Sequence, residues 1–283
     1  MGSSRLTVTL TVGLAVLAWM SLGAGRPRAA LRVTTGPKIT SPPASPPPPV
    51  HTETPAPCPA DTLPDGDACV RLPDDDGTDD TPEALTATSS HQDKGGRWSV
   101  YEQVPRRPDR PAEYDAYRYP VSCEECVVSG YDLDLPDALQ RRGRRLRHVG
   151  HGAVDLLQKR GTAVTLVALE KQRGDAEVLF VGSLFGTTVA TRHTVREGGQ
   201  LRDYVVLFGH LEAAAAGVQP GVHVKDGDLI GYVGDSGSPS LVHLHLEARR
   251  VRDGVDPAKL TPSALVDGAS TIACDPRNVL PLK

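Results

Sequence analysis

The apolar residues between 117 and 265 come in short bursts, none of them long enough or rightly spaced for a helix. Residues 164–169, 178–181, 187–191, 204–208, 229–233 and 241–247 are each strand-sized and rich in Val and Leu, with Gly and Asp between them. No stretch sustains a 3.6-residue apolar period over three turns. The pattern predicts a mostly β domain: an antiparallel, sandwich-like sheet with short loops. Residues 211–217, with four consecutive alanines, are the one place where a short helix or a turn is expected.

The rest of the chain carries a different composition. Eighteen of the 25 prolines precede residue 121, and only 3 Phe and 2 Trp serve all 283 residues, so a large part of the chain is not core. Arg5, an apolar stretch over 6–22 and the small residues Gly23-Ala24-Gly25 read as an export signal, with an uncleaved N-terminal anchor as the competing reading of 1–25. Residues 26–57 are proline-rich and predict an extended spacer or plain disorder. The acidic run at 74–80 lacks the spaced acidic pattern and closing Glu of a calcium loop, and reads as solvated linker. The whole of 26–116 is therefore taken as a Pro/Asp-rich linker, 117–265 as the folded domain and 266–283 as a C-terminal tail. The net charge of −4 does not suggest nucleic acid as a partner. Nothing in the sequence sets the oligomeric state.

Five cysteines in an exported chain predict disulfides. Cys58 and Cys69 can close a small loop. Cys123 can pair with Cys126, or one of the two with Cys274, and an odd count leaves one thiol over. The run Arg141, Arg142, Arg144, Arg145 and Arg147 reads as a solvated loop.

Within the folded stretch, His243 and His245 stand two residues apart in an apolar run. On a strand, residues i and i+2 share a face, so both imidazoles point one way while Leu244 and Leu246 pack the other. His151 and Asp155 are four apart and also share a face, and His210 follows the strand-like segment 204–208. One carboxylate and four imidazoles suit a catalytic metal site, in which three protein ligands hold zinc and leave a position for water while the other imidazoles move protons. His148, His193 and His223 read as surface or flanking residues.

The order of these residues resembles the lysostaphin/LytM-type zinc metallopeptidases, whose pattern is H-x-x-x-D, a single H after a strand, then H-x-H. The chain has His151-Gly-Ala-Val-Asp155, Phe208-Gly209-His210-Leu211 and His243-Leu244-His245-Leu246-Glu247. Between the last two, residues 218–237 are similar to the family's glycine-punctuated run, and Gly254-Val255-Asp256-Pro257 is similar to the segment after H-x-H. The resemblance implies an exported zinc endopeptidase that cleaves peptide bonds of bacterial peptidoglycan, in the periplasm, cell envelope or medium. It implies one Zn2+ held by His151, Asp155 and His245, with His210 and His243 as the catalytic pair. Three positions depart from the family: Ala153 where Gly is usual, Phe208 where Tyr is common, and Leu246 where an aromatic is commoner. None removes a ligand. Two alternatives remain: a non-catalytic wall-binding or hydrolase-activating module of the same fold, and a structural zinc domain.

Overall fold

The three longest strands, Gln172–Leu184, Gly186–Glu197 and Gln200–Ala214, contain the strand-sized segments 178–181, 187–191 and 204–208 and extend past them. The computed structural model describes residues 58, 62–65, 68–71, 86–92, 98–133, 140–141, 144–145 and 151–283. These residues belong to one compact unit, Pro47–Lys283. The signal or anchor at 1–25, the spacer at 26–57, the acidic run at 74–80, His148, Arg142 and Arg147 lie outside the described residues.

In chain order the strands are β1 (Thr62–Asp65), β2 (Ala68–Arg71), β3 (Ala87–Gln92), β4 (Trp98–Val104), β5 (Val127–Ser129), β6 (Gln140–Arg141), β7 (Arg144–Arg145) and β8 (Ala153–Leu157). They continue with β9 (Ala163–Thr165), β10 (Gln172–Leu184), β11 (Gly186–Glu197), β12 (Gln200–Ala214), β13 (His223–Val224), β14 (Leu229–Val233), β15 (His243–Val251) and β16 (Thr271–Cys274). Only short 3-10 turns supplement them among the described residues. The molecule is mostly β, as its periodicity requires.

The main sheet runs β13-β10-β11-β12-β15-β16-β4-β3. All of its named pairings are antiparallel except β16 with β4, which is parallel. Strand β15 is the hub. It pairs with β12 along one edge, while β8 takes the first half of its other edge and β16 the second half. Every residue of β15 is buried. Its Leu244, Leu246 and Ala248 enter the main core with Val154, Leu156, Val206 and Phe208. The facing register puts His243, His245, Glu247 and Arg249 on the opposite side. On that side a second, smaller core of Ala190, Val205, Leu207, Val251 and Leu265 lies under Leu260 and Val266.

Three features extend or correct the sequence reading. The stretch 266–283 is not a loose tail, because β16 pairs with β15 and Ile272, Cys274, Val279 and Leu280 are buried. The four residues Thr271–Cys274, followed at once by Asp275 and Pro276, gave too short a signal, and the pairing that recruits them is non-local. The linker stretch contributes β3 and β4 to the same sheet and a β1–β2 hairpin. Residues 211–217 form no helix: β12 continues as strand to Ala214, held by β14, and the expected turn follows it, with Val218 N donating to Ala215 O.

Two disulfides join Cys58 to Cys69 and Cys123 to Cys126, and Cys274 remains a buried thiol. The buried leucines of β15 carry the register, so their removal tests it. Leu244→Ala is expected to lower stability by about 2–5 kcal/mol, the range for a fully buried leucine. Urea unfolding followed by circular dichroism measures it. A chain ended before Thr271 is expected to lose more, and an unchanged midpoint would mean that β16 is dispensable.

Candidate metal centre

Strand register assembles the site. His245 of β15 lies opposite Asp155 of β8 on one side and opposite Gly209 of β12 on the other. Directly opposed residues of paired strands share a face, so the Asp155 carboxylate and the His245 ring meet. His151 stands just before β8, held by a two-way backbone bridge to Asp132, with N···O distances of 2.7 and 2.9 Å. Asp155 Oδ1 is 3.2 Å from His151 Nε2 and 3.2 Å from His245 Nδ1. His243 Nε2 is 3.7 Å from the same oxygen.

His210 arrives by a break in β12. Before it, β12 pairs with β15; from Leu211 it pairs with β14. The β11 register slips between Thr187 and Val189, where Gly209 and His210 of β12 answer the single residue Thr188 of β11. His210 sits in this bulge with φ 58°, a left-handed conformation that costs a non-glycine residue of order 1–3 kcal/mol. Its N–H donates to Phe185 O and its carbonyl accepts from Gly234 N, which hold that conformation. Its ring then lies 4.6 Å from that of His243 and 5.6 Å from that of His245, centroid to centroid. Gly209 beside it has no room for a side chain: a Cβ would stand 2.9 Å from Phe185 Cβ and 3.2 Å from His245 Cβ.

Each imidazole has one nitrogen turned outward to an oxygen that accepts, which assigns the proton. His151 Nδ1 donates to Gly130 O at 2.8 Å, with Ser129 Oγ at 3.0 Å. His210 Nδ1 donates to Ser236 O at 2.7 Å, and His243 Nδ1 to Leu241 O at 2.8 Å. His245 Nε2 faces Glu247 Oε2 at 3.3 Å. The other nitrogen of each ring is left for the site.

The electrostatics follow from burial and these contacts. Burial alone would raise Asp155, but its contacts with His151 and His245 hold its carboxyl well below the usual range. Burial works against the proton on His245, yet Asp155 and Glu247 together push it up to about 9. Burial brings His210 down to about 4, with His243 and His245 adding to the effect and the Ser236 carbonyl opposing it. Neutral His210 therefore prevails at neutral pH.

The donor set suits a divalent metal. His151, Asp155 and His245 each offer one ligand atom, all within 4.8 Å of one another. Tetrahedral zinc with bonds near 2.0–2.1 Å spaces its ligand atoms by about 3.3 Å. The two 3.2 Å separations match that spacing.

All five residues expected at the site are thus brought together. Glu247, Arg249, Ser129 and Ser236 were not expected there. The first two were legible, since they follow His245 at i+2 and i+4 on one strand face. The serines come from distant segments and carry no local signal. His193, expected at the surface, is instead fully buried inside β11, between Thr191 Oγ1 at 2.8 Å and Gln172 Oε1 at 2.7 Å. Strand β11 runs past His193 to Glu197, which puts that ring in the interior. His223 is half-buried, not exposed.

Residues 149–257 match the model of Peptidase family M23, so this segment is similar to the peptidases of that family. No curated protein matched the chain. Among solved structures it is similar to a mutant catalytic domain of the prophage-encoded M23 protein EnpA from Enterococcus faecalis, at 21% identity over 51% of this chain and 95% of that one, with a TM-score of 0.34. The catalytic domain of the antimicrobial peptidase lysostaphin from Staphylococcus simulans gives 20% identity, 55% and 92% coverage and a TM-score of 0.33. A zinc containing peptidase from Vibrio cholerae gives 23%, 62% and 47%, and 0.34. At such identities and TM-scores these likenesses fix neither substrate nor detail of the fold.

The shifted histidines predict a stability optimum in chelator-treated protein. His245, raised from 6.5 to about 9, stabilises fully below pH 6.5 and loses that contribution as pH rises through 9. His210, lowered to about 4, and buried His193, lowered to about 3, favour the unfolded chain as pH falls below 6.5. Thermal melts between pH 4 and 9 are expected to peak near neutrality and decline on both sides. A midpoint still rising at pH 9 would contradict the His245 environment.

Proposed function

We propose that the chain is an exported zinc metalloendopeptidase that hydrolyses peptide bonds of bacterial peptidoglycan. The observation that carries this reading is the convergence of three donor atoms, on His151, Asp155 and His245, beside the proton-accepting nitrogens of two further histidines. A closed structural site would take a fourth protein ligand; here the group of converging donor atoms holds three residues, and His210 and His243 stand beside it with their rings 4.6 Å apart.

His151 Nε2, Asp155 Oδ1 and His245 Nδ1 would hold the metal. When bound, zinc supplies a water of lowered pKa, about 7, and polarises the scissile carbonyl. His243 accepts a proton at Nε2 from the attacking water and returns it to the leaving amine. Its orientation for that task comes from the Leu241 carbonyl, which fixes the proton on Nδ1. His210 fits the same proton traffic better than an oxyanion contact. An oxyanion needs a donor, whereas neutral His210 keeps its proton on Nδ1 for Ser236 O and offers only a lone pair at Nε2. Phe185, with its ring 4.6 Å from that of His245, walls the site on the side of the β10–β11 turn.

Export is supported by the apolar stretch at 6–22 and by two disulfides, which persist in oxidising compartments. Among the described residues no helix is long and apolar enough to cross a membrane.

The test uses the full-length chain, purified peptidoglycan and mass spectrometry of the products. Wild type is expected to bind one zinc and release new amino termini. His243→Ala and His210→Ala are expected to slow release by about 10²- to 10⁴-fold while zinc stays bound. His151→Ala and Asp155→Ala are expected to lose zinc and activity together. Zinc binding without any cleavage would favour the non-catalytic wall-binding reading, and absence of zinc would sink the enzyme.

A further inference from the structure

One buried ion pair behind the site is not used by that chemistry. His245, Glu247 and Arg249 occupy alternate positions of β15 and therefore share its site face. The two oxygens of Glu247 are divided between them. Oε2 lies 3.3 Å from His245 Nε2, and Oε1 accepts from Arg249 Nη1 at 2.6 Å. Arg249 is fixed in turn from the neighbouring strand: its Nε donates to Thr271 Oγ1 at 2.7 Å and its Nη2 to Thr271 O at 3.4 Å. Thr271 Oγ1 donates to Leu265 O at 3.0 Å. Glu247 is 5% exposed and Arg249 8%. Burying a carboxylate and a guanidinium is costly, and hydrophobic residues of similar size commonly serve stability as well or better. Packing alone gives no reason for two charges here.

We propose that Glu247 and Arg249 are positioning residues of the metal site. Glu247 accepts the Nε2 proton of His245, Arg249 locks Glu247 in place, and the pair presents the His245 Nδ1 lone pair to the metal. The inference rests on the metal site proposed above. It also separates the two histidine ligands. The outward nitrogen of His151 meets a backbone carbonyl and a hydroxyl, both neutral. That of His245 meets a carboxylate, which makes it the more basic and more tightly oriented ligand. A ring flip of His245 would direct a carbon at Glu247 and lose that bond. Directly opposite Glu247 on the two neighbouring strands stand Leu207 and Ala153, neither of which has a side-chain donor. Through Thr271 the device reaches β16, which joins the C-terminal strand to the site.

Full-length protein labelled with ¹⁵N-histidine, loaded with zinc, gives the direct readout. The His245 ring is expected to show its proton on Nε2 and the metal on Nδ1. A proton on Nδ1 in wild type would overturn the proposal with no variant needed. Zinc affinity by competition with a chromogenic chelator gives the second readout. Glu247→Gln is expected to bind zinc about 10- to 100-fold more weakly, while the zinc-free variant still unfolds in one cooperative transition. Should that variant misfold because Arg249 is left unpaired, the double variant Glu247→Gln with Arg249→Met removes both charges and is expected to show the same weakening. Affinity equal to wild type in either folded variant overturns the proposal. A wild-type chain that binds no zinc fails earlier, at the metal site itself.

Discussion

Strand β15 can sit in only one register, and the rest of the molecule depends on that. Leu244 and Leu246 fill the main core from one face while His243 and His245 occupy the other. A slip of one residue would put imidazoles among the buried leucines and leucines at the metal site. Both edges of the strand are spoken for. Against β12, Gly209 opposes His245, where a side chain would collide with Phe185 and crowd His245; against β8, Asp155 opposes it. The three-strand pairing converts a linear pattern into a point in space where three donor atoms meet.

What surrounds that point is a set of oxygens, each of which fixes a proton. The carbonyls of Gly130, Ser236 and Leu241 and the carboxylate of Glu247 take the outward N–H of four histidines. Backbone carbonyls orient His210 and His243, and they cost nothing to desolvate beyond what the fold already requires. The site is thereby preorganised: its nitrogens are aimed before any substrate arrives. Ser236 shows how tightly this is built in. Its carbonyl orients His210, its hydroxyl donates to Leu211 O and accepts from Thr187 N, and the Gly186 backbone approaches it too closely for a Cβ.

Much of this was legible in one dimension. The two-residue period of 241–247 required a strand, and a strand required His243 and His245 to share a face. The Val- and Leu-rich segments at 204–208 and 229–233 were legible as strands by their size, whereas of 164–169 only Val164 and Thr165 lie in strand β9, and β10, β11 and β12 run well past the bursts that announced them. Other parts left no local trace. Ala213 and Ala214 lie in strand because β14 pairs with them, a contact that overrides helix propensity. Thr271–Cys274 is too short to stand out, yet it becomes a central strand between β15 and β4. His193 looked like a strand end and proved an interior residue, because β11 does not stop where its apolar pattern weakens.

By itself, then, the chain's order of residues determined the fold class, the face on which the histidines lie, and the five polar side chains suited to a metal and its proton traffic, since periodicity and residue chemistry are local properties. Tertiary structure alone decided which nitrogen of each ring faces the site, because the deciding oxygens come from Gly130, Ser236 and Leu241, brought in by turns and neighbouring segments. It alone placed His210, whose left-handed backbone exists only where β12 leaves β15 for β14. And it alone recruited the C-terminal strand, because Arg249 can reach Thr271 only once β15 and β16 are paired.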